Sequence, residues 1–354
     1  MGWRTGLFDD DHGAMPRHNF ARPRGDLVEV TIESDALAGN LLGDPTTRTV
    51  AVYLPEGYEG GDQHYPLLVD LVGFTGSGLA HLAWRAFGES VPQRVDRLVS
   101  EGHMGPVVVA FPDCFTSLGG NQYVDSAVMG DWERFLIEEM VPRLEAGFRI
   151  MPGRDHRGVF GKSSGGYGAI AHGLRRADAW AAVACHSGDM DFDLCYRPDF
   201  PKAIRAVAEK GGIEAWLDWF FAEKKADSDP LHVIMMLAMA ASYDPDPSAP
   251  RGIRLPVDLD TAELDEERWA RWVAHDPVHM IEDLECQENL RSLRALYIDC
   301  GHKDQYHLVH GARRFVRRLT ELGIDHRYDE FDDDHSNIDY RMDESLPYLY
   351  AALS

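Results

Sequence analysis

Short apolar runs of strand length alternate with longer amphipathic stretches along most of the chain. The runs fall at 27–32, 48–54, 67–72, 107–111, 158–160, 181–185, 295–299 and 326–331. The stretches at 79–100, 131–148, 165–175, 307–322 and from 343 onward repeat their apolar residues at helical spacing. A strand covered by helices on both faces needs no polar side, which the uninterrupted runs 107–111 and 181–185 fit. The alternation predicts an α/β fold with a mostly parallel central sheet flanked by helices. No helix separates the first two runs, which predicts an antiparallel edge.

Residues 189–280 break this rhythm. They contain no strand pattern, but helix-like pieces at 201–210, 213–225, 231–243 and 261–274 and a proline-rich loop at Pro245, Pro247 and Pro250. An insertion of this size predicts a helical cap between two parts of an α/β core, 26–188 and 281–354, after a polar N-terminal segment 1–25. In the cap, Trp216, Trp219, Phe220, Phe221, Met235, Met236 and Met239 either line an apolar pocket or form the cap's own core. Helical spacing by itself favours core. Trp216, Trp219 and Phe220 are carried forward as candidate substrate-binding residues.

Charge narrows the partners. The 354 residues hold 35 Lys+Arg against 59 Asp+Glu, a formal net charge of -24. Nucleic acid and anionic membranes attract clustered Lys and Arg, so neither is an expected partner. A small molecule is, and a homo-oligomer stays open. Five cysteines without C-x-x-C spacing fit a reducing compartment better than a disulfide framework. Residues 1–25 lack the apolar core of a secretory leader, and no run approaches 18 apolar residues, so the expected location is cytoplasmic.

The strongest local signal is Gly161-Lys162-Ser163-Ser164-Gly165, which follows an apolar strand and opens a helix. This G-x-S-x-G pattern puts Ser163 on a tight turn where larger neighbours would not fit, and holds it out at the carboxyl edge of the sheet. A phosphate-binding P-loop would need glycine at position 156, which is His156.

A serine nucleophile at neutral pH needs a base, and the base needs an acid to orient it. In this fold they follow in the order Ser, Asp or Glu, His, each on a loop after a later strand. Asp304 follows the run 295–299, and His335 follows the run ending at Phe331. Asp299 competes with Asp304, but it ends its strand and reads better as support. Asp332, Asp333 and Asp334 are either a solvated charge run or neighbours that favour a charged His335. His302, His307 and His310 with Asp304 loosely suggest a metal cluster, but two of the three fall on a helix pattern, so no metal is expected. The loop Gly73-Phe74-Thr75-Gly76-Ser77-Gly78 follows the third run. The N–H of Phe74 and that of Ser164 are the candidate oxyanion donors.

With these residues in place, the chain resembles the "Putative esterase" branch of the α/β-hydrolases, which includes esterase D (S-formylglutathione hydrolase), enterochelin-esterase-like proteins and mycolyltransferases. The resemblance covers about 29–191 and 275 to the C-terminus. It rests on Val52-Tyr53-Leu54-Pro55, Tyr65-Pro66-Leu67-Leu68, Pro112-Asp113, Gly119-Gly120-Asn121-Gln122-Tyr123, the Ser163 turn, Tyr297-Ile298-Asp299-Cys300-Gly301 and the His335 loop. It implies an α/β-hydrolase fold and carboxylic ester hydrolysis through an acyl-enzyme, with Ser163, Asp304 and His335 as nucleophile, acid and base and no cofactor. Tyr123 joins the candidate substrate-binding residues.

Two departures stand out. Val72-Gly73 replaces the His-Gly common at the oxyanion turn, which leaves the support of that loop open. Lys162 stands where relatives often have His, Leu or Glu, and is a candidate substrate-binding residue. It either favours an acidic substrate or pairs with a neighbouring carboxylate. An acyltransferase would use the same catalytic residues, and a non-catalytic binding protein on a hydrolase scaffold is the alternative of another class.

Overall fold

The computed structural model describes residues 18–225 and 227–354. The polar segment expected over 1–25 falls largely on residues 1–17, outside the described residues. All eight expected strands are present: β1 (Asp26–Glu33), β2 (Thr47–Leu54), β3 (Leu67–Leu71), β4 (Val108–Pro112), β5 (Arg157–Lys162), β6 (Ala182–His186), β7 (Ala295–Gly301) and β8 (Arg327–Phe331). They form one sheet in the order β1-β2-β4-β3-β5-β6-β7-β8. β1 pairs antiparallel with β2 and β2 antiparallel with β4, and every other pairing is parallel. β3 and β4 are buried along their whole length, whereas edge strand β1 buries only Ile32 fully.

The helices are α1 (Val91–Ser100), α2 (residues 132–147), α3 (Ser164–Arg175), α4 (Phe200–Lys210), α5 (Ile213–Ala222), α6 (Ser228–Tyr243), α7 (Glu266–Val273), α8 (Leu284–Ser292), α9 (Leu308–Leu322) and α10 (Met342–Leu353). One sheet face, through Leu68, Val109, Phe160 and Tyr297, packs on Val91, Val95 and Leu98 of α1 and on Leu346 and Leu349 of α10. The other face, through Leu67, Val69, Val159, Val183 and Leu296, packs on α2, α3 and α9. Among the described residues no helix is long and apolar enough to cross a membrane.

Two expected helices differ for local reasons. The stretch 79–100 is a short 3-10 turn, Gly78–Leu82, followed by irregular chain, and the α-helix begins only at Val91. Ser90 sets that start by accepting from Gln93 N at 3.4 Å, while its own N–H donates to Gln93 Oε1 at 2.8 Å, and Pro92 suits the first turn. In the cap, the helix expected from 261 starts at Glu266, because Asp265 accepts from the N–H groups of Glu267 and Arg268 at 3.1 and 3.0 Å. α4 to α7 all lie between β6 and β7 in the chain. The strand order turns back at β3, which sits between β4 and β5, and α/β sheets bind ligands beyond the strand ends at such a turn.

Candidate active site

β5 ends at Lys162 and α3 begins at Ser164, so Ser163 alone makes the turn between them. Its backbone sits at φ 57° and ψ −126°, a region that costs a residue with a Cβ about 1–3 kcal/mol. The surroundings hold it there: Ser163 N–H donates to His186 O at 3.0 Å, and Tyr167 N–H donates to Ser163 O at 2.8 Å. Gly161 and Gly165 are required because a Cβ on either would collide with the carbonyl of Leu71.

Asp304 and His335 meet from the ends of β7 and β8. His335 Nδ1 lies 2.8 Å from Asp304 Oδ2, and the Asp304 side chain is sealed from solvent. Asp304 Oδ1 accepts from Tyr306 N–H at 2.9 Å and Leu308 N–H at 3.4 Å, which fixes the carboxylate at the start of α9. A carboxylate only accepts, so Nδ1 carries the proton and Nε2 is the free basic nitrogen of the neutral ring. The His335 ring stands edge-on to Tyr306 at 4.8 Å, and its backbone N–H donates to Gln305 Oε1 at 3.0 Å. The neighbouring acids point elsewhere. Asp332 pairs with Lys303 and with His302, Asp333 accepts from the Tyr340 hydroxyl, and Asp334 accepts from Ser336 N–H. With His302 taken up by Asp332, the histidines near Asp304 do not converge; among the described residues no group of three or more His, Cys, Asp or Glu is placed to hold a metal.

Asp299 belongs to a separate buried array. It accepts from His186 Nδ1 at 2.8 Å, and His186 Nε2 lies 2.8 Å from Ser345 Oγ. This set has the composition of a catalytic serine site, yet Arg341 and Tyr297 occupy the other oxygen of Asp299 at 2.9 and 3.0 Å. All three members are fully buried, so no substrate can reach them. The array ties β6 and β7 to α10.

The loop after β3 lies against Ser163: a Cβ on Gly73 would sit 3.4 Å from Ser163 Cβ and 3.9 Å from its Oγ. Neither Phe74 N–H nor Ser164 N–H has a protein acceptor among the described residues. Tyr123, expected to bind substrate, instead supports this loop. It is buried, its hydroxyl donates to Val72 O at 2.7 Å, and it accepts from Val72 N–H at 2.8 Å. Val72 therefore has a support that the missing histidine does not supply. Gln122 and Tyr123 both have φ of 58°, and side chains pin the strained pair, with Asn121 Oδ1 accepting from Tyr123 N–H at 2.7 Å.

A cavity of about 470 Å³ opens above Ser163. Ser163, Ser164, Phe74 and His335 line it, together with the basic residues His81, Arg85 and Lys162 and with Tyr196, Leu231, Met235 and Tyr306. Of the apolar cap candidates, only Met235 reaches it. Trp216 is buried and stacks on Phe220 at 5.2 Å, and Trp219 lies under the Lys210 ammonium at 4.0 Å; none of Trp216, Trp219 and Phe220 lines the cavity above Ser163, a correction to the expected pocket, and the two tryptophans border a separate cavity of about 360 Å³. Lys162 does line the cavity, and among the described residues no carboxylate comes within ion-pair distance of its ammonium. Burial lowers its pKa, and the positive charge of Arg85 acts the same way, against the opposing pull of Asp304 and Asp334.

Asp189 was not among the sequence candidates. It lines the cavity beside Ser164 and accepts from Tyr196 OH at 2.7 Å and Gln122 Nε2 at 3.0 Å, with Ser164 Oγ at 3.5 Å. Burial raises its pKa, partly offset by those hydrogen bonds. A signal existed: Gly188-Asp189 puts a carboxylate just past the carboxyl end of β6, where sites in such sheets gather.

A mostly parallel sheet with a serine on a strained strand-to-helix turn at its carboxyl edge defines the α/β-hydrolase class. Within that class the chain belongs to the esterase family described as "Putative esterase", whose family model matches residues 45–343. It is similar to an esterase of Mycobacterium tuberculosis, with 33% identity over 114 residues, 30% of this chain and 24% of that protein. It is also similar to an endo-1,4-beta-xylanase/feruloyl esterase of Xylanibacter ruminicola, with 25% identity over 190 residues, 52% of this chain and again 24% of the relative's length. Among solved structures, a ferulic acid esterase matches the fold with a TM-score of 0.58 at 20% identity, over 93% of this chain and 99% of that one.

Proposed function

We propose that the protein is a serine esterase that cleaves a small carboxylic ester through an acyl-enzyme, using Ser163, His335 and Asp304 as a catalytic triad. The observation that carries this reading is the Asp304–His335 hydrogen bond of 2.8 Å at the wall of the cavity that holds Ser163. His335 Nε2 takes the proton of Ser163 Oγ as the oxygen attacks the ester carbonyl. Asp304 holds the ring in the tautomer with a free Nε2 and stabilises the imidazolium that forms. The unpaired N–H groups of Phe74 and Ser164 receive the charge that develops on the carbonyl oxygen, the largest single contribution in such sites. His335 then protonates the leaving alkoxide, and in a second round it activates the water that releases the acid. Each step uses only side-chain and backbone groups of this chain and water.

The cavity volume falls in the range of small-molecule sites, and its tyrosines and Met235 offer apolar walls to an acyl or aryl group. Family membership and the esterase names of the relatives support the same reaction type. The test is turnover of p-nitrophenyl acetate by Ser163→Ala protein whose circular dichroism matches the parent. Loss of nearly all turnover is expected, and retained turnover would overturn the assignment.

A further inference from the structure

The charged groups around the cavity are matched, with one exception. His81 Nδ1 meets Asp70 Oδ2 at 2.5 Å, Arg85 pairs with Asp339, His335 meets Asp304, and Asp189 is held by Tyr196 and Gln122. The ammonium of Lys162 has no hydrogen bond and no ion pair among the described residues, although 59 carboxylates are distributed over the chain. It sits on the last residue of β5, next to the nucleophile, and lines the same cavity as Arg85, whose charge it feels.

We infer that Lys162, with Arg85 beside it, forms a subsite for an anionic group carried by the ester substrate, a carboxylate a few bonds from the scissile carbonyl. The inference rests on the serine-esterase reading and names the substrate class for it. An ammonium withdrawn from water without a partner is costly, and an arriving anion removes that cost, whereas a neutral group of the same size leaves it in place. Partial burial and the charge of Arg85 both hold the Lys162 pKa down, and the more distant charges of Asp304 and Asp334 offset this only in part. Lys162 is adjacent to Ser163, so the same contact that binds the anion fixes the distance from the charge to the ester carbonyl.

The probes are 4-acetoxybenzoate and its methyl ester, which differ in one negative charge. Binding is measured calorimetrically to Ser163→Ala protein, which does not consume them. The expected result is tighter binding of the anion than of the neutral ester, with a preference that weakens as salt is added. In the Ser163→Ala/Lys162→Met double variant that preference falls about tenfold. In Ser163→Ala/Lys162→Arg, which keeps the charge, it is retained. An equal preference in the Met and parent proteins would overturn the inference, and so would an Arg variant that loses as much as Met. If native protein hydrolyses neither ester, the esterase reading fails, while the binding ratio still decides the subsite.

Discussion

The hydroxyl of Tyr123 satisfies both backbone groups of Val72, donating to its carbonyl at 2.7 Å and accepting from its N–H at 2.8 Å. Val72 is the residue between β3 and the Gly73-Phe74 turn, so one buried phenol fixes the loop that presents Phe74 N–H. Tyr123→Phe leaves two buried backbone groups unpaired. We predict a stability loss of about 1–3 kcal/mol by chemical denaturation. We also predict a fall of at least about tenfold in kcat for p-nitrophenyl acetate with a smaller change in KM. An unchanged kcat would mean that the loop holds its position without the tyrosine.

Asp304 is sealed from solvent and accepts from the ring of His335 and from two backbone N–H groups. An amide there can donate to Nδ1 and stabilise the wrong tautomer, without changing the shape of the site. Asp304→Asn is predicted to lower kcat by about 10³–10⁴-fold with the fold intact. Asp299→Asn is predicted to act differently, through stability, because Asp299 holds His186, Tyr297 and Arg341 away from the cavity. Steady-state kinetics beside thermal melts separate the two.

The helical segment between β6 and β7 divides in the same way. Met235 lines the cavity, whereas Trp216 is 1% exposed and stacked on Phe220. Trp216→Ala is predicted to cost about 3–5 kcal/mol of stability. Met235→Ala is predicted to shift the KM ranking of a panel of esters of increasing acyl length, and to cost less stability than the tryptophan change.

His275 gives the protein an acid-sensitive element outside the site. Its Nδ1 is buried without a partner among the described residues, its ring packs against Tyr243 at 5.2 Å, and burial lowers its pKa from 6.5 to about 4. The folded state refuses a proton that the unfolded chain accepts, so the unfolded state binds more protons between those two values. Stability therefore falls as the pH drops from 6.5 to about 4 and is indifferent to this group above 6.5. The loss amounts to about 3 kcal/mol. In urea melts across that window, His275→Leu is predicted to flatten the acid limb relative to the parent.

The inner strands β4 and β6 were legible because strands covered on both faces read as apolar runs, the edge strands β1 and β8 only from their place in the alternation, and the Ser163 turn because its glycines answer a backbone demand that only local sequence can meet. The meeting of Asp304 and His335 was legible from the order in which loops follow strands. What escaped depends on contacts between distant segments. Tyr123 reaches Val72 across 51 residues, and no spacing rule links them. In α6, helical periodicity cannot separate Met235, at the cavity, from Met236 beside it, which is wholly buried, because the helix is covered on nearly every side. The same limit applied to Lys162: its sequence neighbours carry no hint of whether a carboxylate folds back to meet it.

The reading that Ser163 is an activated nucleophile is tested most directly by reaction with a fluorophosphonate, followed by peptide mass analysis of the labelled protein. The expected result is a single adduct on Ser163, abolished in Ser163→Ala and slowed in Asp304→Asn. No adduct, or an adduct on Ser164 or any other serine with Ser163 unmodified, would contradict it.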